Sequence, residues 1–570
     1  MSIEITIATA TERIGIREAL DIIPDGAAAS IRSVFTQAQF VAALAEPGDL
    51  TIRLCANIIL PSGTTTIAVG KAIEFNGFRL TKAGVSLLVF LGECLATRRE
   101  IFTGFTAGNI VGTFGGVDVF PEWWGLVEGR HDIAINCAIQ AAPRDGRGGL
   151  AYPNWFGLTI SLAPRIYSVA RPIDCSGGYI NLKGSGSAQT TLHATSAWTT
   201  DTWEQAEIWD DPVLNVPNHA AVLWIGGPTG GATYRNQVTG IYLNLGDATF
   251  AHRATNKRIS GISSKGGVEE CSIIDEVVIT YATGFGIGFC RHKASDGSYP
   301  PATVNGLRIS NFWIYGATYR NYYGMYFSQW TNNCHVDTGT IAGGLAKSIS
   351  AQWNTNTSTT PPGVGFDTSS FGPLTYPDPI WIRTYPLAAI HLSGGYVTLN
   401  NIHIEGSMIG VLFADADGPN NCTINSVKVY GLMDRSRSPV YMLDGTSGAA
   451  PPANTSDLDY YGYGCAVLFA GRSETLANPK NNAVGCCTIT ALTSSATTYL
   501  IRDAVYGIHL AAFGMGQFAL SPTGEGMGGR VAFYSRGNIY RIIPGITPTL
   551  GQYDYTSPPT DRTYFLGPIY

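Results

Sequence analysis

The fold class this sequence predicts is all-β, a single chain wound as a parallel β-helix. Three observations carry that expectation. The first is a six-residue pattern of apolar, any, polar bend, apolar, any, apolar. It reads Val238-Thr239-Gly240-Ile241-Tyr242-Leu243, Ile274-Asp275-Glu276-Val277-Val278-Ile279 and Ile309-Ser310-Asn311-Phe312-Trp313-Ile314. A degenerate copy is Val336-Asp337-Thr338-Gly339-Thr340-Ile341, and two clean copies follow, Leu399-Asn400-Asn401-Ile402-His403-Ile404 and Ile424-Asn425-Ser426-Val427-Lys428-Val429. Successive first residues (238, 274, 309, 336, 399, 424) lie 36, 35, 27, 63 and 25 apart. The step of 63 fits either two coils or one coil with a long insertion. Each copy is a period-2 strand pair with a polar corner, which cannot bury its apolar side without stacking on its neighbours. The second observation is that only 14% of the 570 residues are charged, far below the usual quarter. The third is 68 glycines, with Ser, Thr and Asn filling the spaces between apolar runs, the texture of a β protein with many corners.

The elements follow in order. Residues 1–117 form a β-rich lead-in or particle-attachment segment. It holds a helix over Thr36–Leu44 closed by Pro47-Gly48, then short strands at Thr51–Cys55, Asn57–Leu60, Thr65–Val69 and Ala72–Phe75. Their spacing fits solenoid coils and a small β domain equally well. Residues 118–450 form the solenoid proper. Phe120-Pro121-Glu122-Trp123-Trp124-Gly125 precedes a helix near 133–142, with Asp132 at its start and 135, 138, 139 and 142 on one apolar face. A helix here would cover the open end of a solenoid, which otherwise exposes strand edges and apolar side chains. Between 336 and 399 a Thr-, Pro- and Gly-rich stretch (Asn354–Thr360, Pro361-Pro362-Gly363, Pro377-Asp378-Pro379) reads as a surface excursion. Pro451-Pro452-Ala453-Asn454 marks a boundary, and residues 451–570 form a C-terminal β-rich domain.

Several function classes are excluded. The net charge is −6 and no basic patch stands out, so nucleic acid is not an expected partner. No apolar run reaches spanning length, so membrane insertion is not expected. The first basic residue is Arg13, so a signal-peptide n-region is lacking and synthesis in a reducing cytoplasm is expected. Eleven cysteines, without a CxxC pair, read as buried free thiols. Neither a metal nor a cofactor is expected from the spacings.

The order Pro121-Glu122-Trp123-Trp124-Gly125, Asp132–Ala142, Gly148-Gly149 and Gly184-Ser185-Gly186 with Thr190-Thr191-Leu192 resembles the opening of pectate-lyase-like β-helix proteins. It is most similar to bacteriophage tailspikes and tail-fibre depolymerases. The resemblance covers roughly 120–195 closely and the repeats to about 430 in pattern. One departure is that the family usually shows a second Asp at the helix start, where this chain has His131-Asp132-Ile133. The resemblance implies a right-handed parallel β-helix, a homotrimer locked by the C-terminal domain, and cleavage of a bacterial surface polysaccharide (capsule, O-antigen or exopolysaccharide). It also implies a place on the virion tail, with attachment to the tail or baseplate through the N-terminal segment and action at the bacterial cell surface.

Registering the copies puts side chains into ladders. The residue between the apolar pair points outward, and that rung reads Tyr242, Val278, Trp313, Thr340, His403, Lys428. The next outward rung reads Asn244, Thr280, Tyr315, Ala342, Glu405, Tyr430. Sugar rings stack on aromatic faces and their hydroxyls need polar partners, so this face is a candidate glycan groove. It equally fits a solvated sheet face with incidental aromatics. Tyr242, Trp313, Tyr315, Lys428 and Tyr430 are the substrate-binding candidates. Corner residues Asn400, Asn401, Asn425 and Ser426 read as structural, whereas Asp275, Glu276 and Asp337 are ionisable. Glycoside hydrolysis commonly needs two carboxylates roughly 5–9.5 Å apart, and coils stack roughly 4.8 Å apart. The catalytic candidates are therefore Asp275, Glu276, Asp337, Glu405 and His403. The four carboxylates suit hydrolysis, the preferred chemistry. His403, Lys428 and Tyr430 suit β-elimination at a uronic acid. A glycan-binding fibre without catalysis is the third possibility.

Overall fold

The computed structural model describes residues 30–143 and 157–430, apart from 208–215, 228–231, 253–256, 271, 299, 302, 316–322, 343–387, 406–408 and 416–420, together with strands between 465 and 542. It is an all-β solenoid of long parallel sheets with few helices. The chain forms two compact units. One contains residues up to 126 and 140–158; the other contains 127–139 and everything from 159 onward.

In the first unit, helix α1 (Gln37–Ala45) starts on a capping box, Thr36 accepting from the Gln39 amide while the Gln39 side chain accepts from the Thr36 amide. The strands that follow resolve in favour of coils. Leu50–Leu54 pairs in parallel with Lys71–Glu74, and that with Glu93–Leu95. Two further parallel sheets, Ile58–Ile59 with Leu80–Thr81 and Phe102–Thr103, and Gly63–Ile67 with Ser86–Phe90 and Ile110–Gly112, complete a three-sided winding. Phe75, Phe90, Phe102, Phe114 and Trp123 are buried along its axis. Phe90 stacks on Phe114 at 5.1 Å and Phe102 meets Trp123 edge-on at 6.2 Å. The Pro-Glu-Trp-Trp motif is a 3-10 turn, Pro121–Trp124. Its Trp123 carbonyl accepts from the Ile101 amide and its indole N–H donates to the Thr97 carbonyl, so it covers this unit's last coil.

In the second unit, helix α2 (Asp132–Gln140) closes the first coil with polar side chains. The Asp132 carboxylate accepts from the Ala170 amide at 3.0 Å, and Asn136 accepts from the Asp174 amide while donating to the Pro172 carbonyl. His131 Nδ1 accepts from the Ser168 amide at 2.9 Å. The imidazole thus supplies the acceptor for the Ser168 amide.

The later coils contribute strands to two long sheets, and four of them also contribute a short strand to a third sheet. The main sheet is built from the six sequence copies: β1 (Gln237–Asn244), β2 (Ile273–Thr280), β3 (Arg308–Tyr315), β4 (Cys334–Ala342), β5 (Val397–Glu405) and β6 (Thr423–Tyr430). All pair in parallel and in the register read from the sequence. Val336 pairs directly with Leu399, so the 63-residue step is one coil with an insertion. At the corner of every strand one residue drops out of the pairing and takes a positive φ: Gly240 (+66°), Glu276 (+51°), Asn311 (+48°), Thr338 (+50°), Asn401 (+52°) and Ser426 (+55°). Each is a single left-handed residue, aligned from coil to coil without a register shift, that bends the strand. A non-glycine residue there costs roughly 1–2 kcal/mol, which side-chain bonds along the ladder offset. Pairing of the same two sheets runs on past residue 450, through Cys465–Gly471, Thr497–Arg502 and Phe518–Leu520 in one and Thr488–Ile489, His509–Ala511 and Val531–Ser535 in the other.

The second long sheet explains how so thin a body fills its core. Gly261, Gly286 and Gly324 occupy one register position on neighbouring coils. A Cβ on Gly286 would lie 2.6 Å from Ile314 Cγ2 and 2.7 Å from the Gly324 carbonyl, and Gly261 and Gly324 stand in the same relation to Ile279 and Ile341. The isoleucine ladder of the main sheet therefore packs directly against bare backbone. Replacing Gly286 by Ala should destabilise the protein by about 1–3 kcal/mol, the cost of overpacking a filled core. Replacing the exposed Ser295 by Ala should leave the thermal midpoint nearly unchanged. Equal midpoints for the two variants would contradict the close approach.

Candidate functional site

The outer face of the main sheet is the candidate site. Its two outward rungs have the register expected: Tyr242, Val278, Trp313, Thr340, His403 and Lys428 in line, then Asn244, Thr280, Tyr315, Ala342, Glu405 and Tyr430. Trp313 and Tyr315, two residues apart on β3, are 52% and 46% exposed although flanked on both sides by paired strands. Such side chains present flat apolar area to solvent beside hydrogen-bonding groups. The Tyr242 hydroxyl bonds Thr280 Oγ1 at 3.0 Å, which fixes that ring at one end of the rung. On β5, His403 Nε2 stands 4.0 Å from Glu405 Oε2. Lys428 is exposed on the next coil. Tyr430 lies at the end of β6, and its side chain is outside the described set.

The ionisable corner residues sit at the edge of this face. Asp275 and Asp337 share one register position, separated by Ser310, which puts them two rungs or roughly 9.6 Å apart along the axis. Asp275 Oδ1 accepts from the Ser310 hydroxyl at 2.6 Å and from Asn311 Nδ2 at 2.9 Å. Asp337 Oδ1 accepts from Asn400 Nδ2 at 3.0 Å and from the Thr338 hydroxyl at 3.1 Å. Glu276, at the left-handed position, reaches the neighbouring turn and accepts from the Ser187 amide at 3.1 Å. The structure thus brings Asp275 and Asp337 into one line, keeps Glu276 beside them, and places Glu405 with His403 farther along their strand.

One pair on this face was not singled out from the sequence. His193, on the strand Thr191–Ala194, pairs with Asn244 and so extends the second outward rung by one coil. Its Nε2 lies 3.1 Å from Asp247 at the start of helix α3 (Gly246–His252). The strand lacks the corner pattern, so the repeat could not register it. A second cluster lies in the interior, where His219, Ser260, Cys290 and His292 are all fully buried. Burial, then the neighbouring His292 and Lys265, hold the His219 imidazole well below its ordinary range, and burial first of all pushes His292 down to about 3. The buried thiols behave as expected from composition; burial raises Cys137 to about 11 and Cys334 to about 12.

No family model matches the chain, and no curated protein matches it. Among solved structures, the ORF18 protein of Geobacillus virus E2 is similar at a TM-score of 0.39 and 10% identity, over 75% of this chain and 65% of that one. The gp42 tailspike of an Acinetobacter phage is similar at 0.33 and 10%, over 77% and 67%. An alginate lyase from a Paenibacillus strain is similar at 0.29 and 10%, over 83% and 98%. The chain spans 65% of the length of the Geobacillus virus protein. Scores this low place no residue of this chain on a residue of those proteins. Among the described residues no helix is long and apolar enough to cross a membrane.

The corner bonds separate two roles for Asp275. Asp275→Asn keeps an acceptor for Ser310 and Asn311 and should change the thermal midpoint little. Asp275→Ala removes it and should cost about 1–3 kcal/mol, the scale of leaving partly buried donors unpaired. Equal melting of the two variants would show that the ladder bonds contribute nothing.

Proposed function

We propose that the chain is a tailspike-type depolymerase, a right-handed parallel β-helix that assembles as a homotrimer and cuts a bacterial surface polysaccharide within its chain. The observation that carries this reading is the exposure of Trp313 and Tyr315 on a rigid strand face, in line with polar and ionisable groups on adjacent coils. A hydrophobic surface of this shape costs free energy in water unless a flat, hydroxyl-rich ligand covers it. The virion tail is the proposed location, with the first unit as the attachment segment.

Hydrolysis remains the preferred chemistry. Of the four carboxylate candidates, Asp275 and Asp337 share a register position, at an axial spacing near the upper end of the range an inverting pair uses. In this reading the ionised carboxylate of one activates water, while the other, protonated in the bound complex, gives its proton to the glycosidic oxygen. Glu276 and Glu405 are the alternatives for the second role, and His403, Lys428 and Tyr430 would serve an elimination. Capsular, O-antigen and exopolysaccharide preparations incubated with the protein distinguish the cases. Reducing ends without ultraviolet absorbance mark hydrolysis, unsaturated uronate absorbance marks elimination, and unchanged viscosity with retained binding marks a non-catalytic fibre. Asp275→Asn or Asp337→Asn should lower the cleavage rate by about a hundredfold or more. Trp313→Ala should raise KM by roughly tenfold or more, the scale of one lost stacking contact. Normal kinetics in all three variants would remove the site from this face.

The proposed trimer rests on apolar side chains that one chain leaves bare. Val69 and Val85 in the first unit are 80% and 89% exposed, and Ile59 and Ile166 more than half. Light scattering at micromolar concentration should return three times the chain mass; a monomer would contradict the assembly.

A further inference from the structure

We propose that His219, Cys290 and His292 form a buried site for one divalent transition-metal ion, Zn²⁺ by preference, inside the second unit. This reading is independent of the glycan face. His219 lies on the strand Val216–Trp224, His292 on the short strand Arg291–His292, and Cys290 just before it. All three are completely buried. His219 Nδ1 and His292 Nε2 are 3.0 Å apart, Cys290 Sγ is 3.9 Å from His292 Nε2, and the three donor atoms all lie within 4.8 Å of one another.

The distances come close to what an ion requires. Zn²⁺ binds imidazole nitrogen at about 2.0–2.1 Å and thiolate sulfur at about 2.3 Å. A tetrahedral angle between such bonds separates two nitrogens by about 3.3 Å, and nitrogen from sulfur by about 3.6 Å. For the two ring nitrogens and for the Sγ–Nε2 pair the shift needed is a few tenths of an ångström, and the remaining Nδ1–Sγ separation lies within 4.8 Å.

The surroundings of His219 match those of a ligand as well. Ser260 Oγ lies 2.7 Å from His219 Nε2 and also accepts from the Phe285 amide at 2.7 Å. A metal-bound imidazole usually donates its other N–H to an oxygen, which fixes its orientation. With its N–H on Nε2 against Ser260, His219 turns the Nδ1 lone pair toward His292 and Cys290. Trp224 closes the cluster edge-on, at 5.6 Å from the His219 ring and 5.4 Å from His292, and Phe285 lies 5.5 Å from His219. A water molecule or a further ligand would complete the tetrahedron.

Binding involves no redox change. The Cys290 thiol loses its proton to solvent as the sulfur–metal bond forms. Each neutral ring then carries its N–H on the nitrogen facing away from the ion, Nε2 of His219 and Nδ1 of His292. A divalent ion with one thiolate leaves a single positive charge. The nearby Lys265 ammonium, which lies over the Trp224 ring at 5.1 Å, is paired with Glu204 at 3.1 Å. Sulfur with two imidazoles favours zinc or copper over the hard cations calcium and magnesium. The ion would tie the strand Val216–Trp224 to the segment 290–292 across 73 residues of chain.

The test uses the full chain, produced in media supplemented with Zn²⁺ or with Co²⁺ and purified under reducing conditions. One zinc per chain by elemental analysis is expected. The cobalt form should show a thiolate-to-cobalt charge-transfer band in the near ultraviolet. Cys290→Ser should abolish the band, and His292→Ala should lower metal occupancy at least tenfold. The band should persist in Cys175→Ser and Cys334→Ser, which alter buried thiols elsewhere in the unit. Wild-type protein without stoichiometric metal or without the band overturns the site. So does a band that survives Cys290→Ser or vanishes with either control thiol, and the controls decide the matter even if Cys290→Ser does not fold.

Discussion

Much of the second unit depends on how closely its two long sheets approach. Gly261, Gly286 and Gly324 present bare backbone to Ile279, Ile314 and Ile341, so the core at these coils is one side chain thick rather than two. That thinness keeps consecutive coils in strict register, because a slip by one residue would drive an isoleucine into a carbonyl. The corner ladder follows from the same constraint. A strand that hugs its partner sheet must turn sharply, and a single left-handed residue is the shortest turn available. Strict register in turn makes the outer face a fixed grid on which Trp313 and Tyr315 stand in predictable positions.

The part of this that was legible in the sequence is the part where apolar and polar residues alternate. The main sheet buries one face only, so its strands carry a period-2 signal and a polar corner, and all six were registered correctly. The second long sheet was not. Strands such as Arg258–Ser264 and Phe285–Phe289 are buried at every position. A strand buried on both faces has no alternation to read, and its glycines look like turns. Helix α2 was found because its apolar face and leading Asp are local features. The three-sided winding of the first unit stayed ambiguous because its strands run only two to five residues.

The interior histidine cluster shows a different limit. His219 and His292 are brought together by Glu204–Glu207, which pairs antiparallel with both of their strands in a largely parallel architecture. No repeat in the sequence encodes that excursion, so linear spacing suggested no ligand set. His193 and Asp247 were missed for a similar reason, since they meet through a helix that leaves the coil and returns to it. Chemistry-bearing residues in this chain concentrate where the winding is interrupted, which is where periodicity has nothing to say.

Asp275 and Asp337 pose the remaining question, whether a ladder bond and a catalytic role can coexist in one side chain. The ladder alone does not require a charge. Asn400 and Asn425 hold the same register position on β5 and β6, Ser310 holds it on β3 and Thr239 on β1. Neutral residues therefore hold the corner position at four coils of six, and two of them, Ser310 and Asn400, donate to the carboxylates. A carboxylate brings repulsion and a larger desolvation cost for the same geometry. Its hydrogen bonds use one oxygen in each case, Oδ1. A carboxylate anchored through one oxygen is oriented for chemistry at the other, which is the arrangement that a base on a rigid scaffold needs. The same bonds that make these residues look structural are thus the ones that would fix them for catalysis.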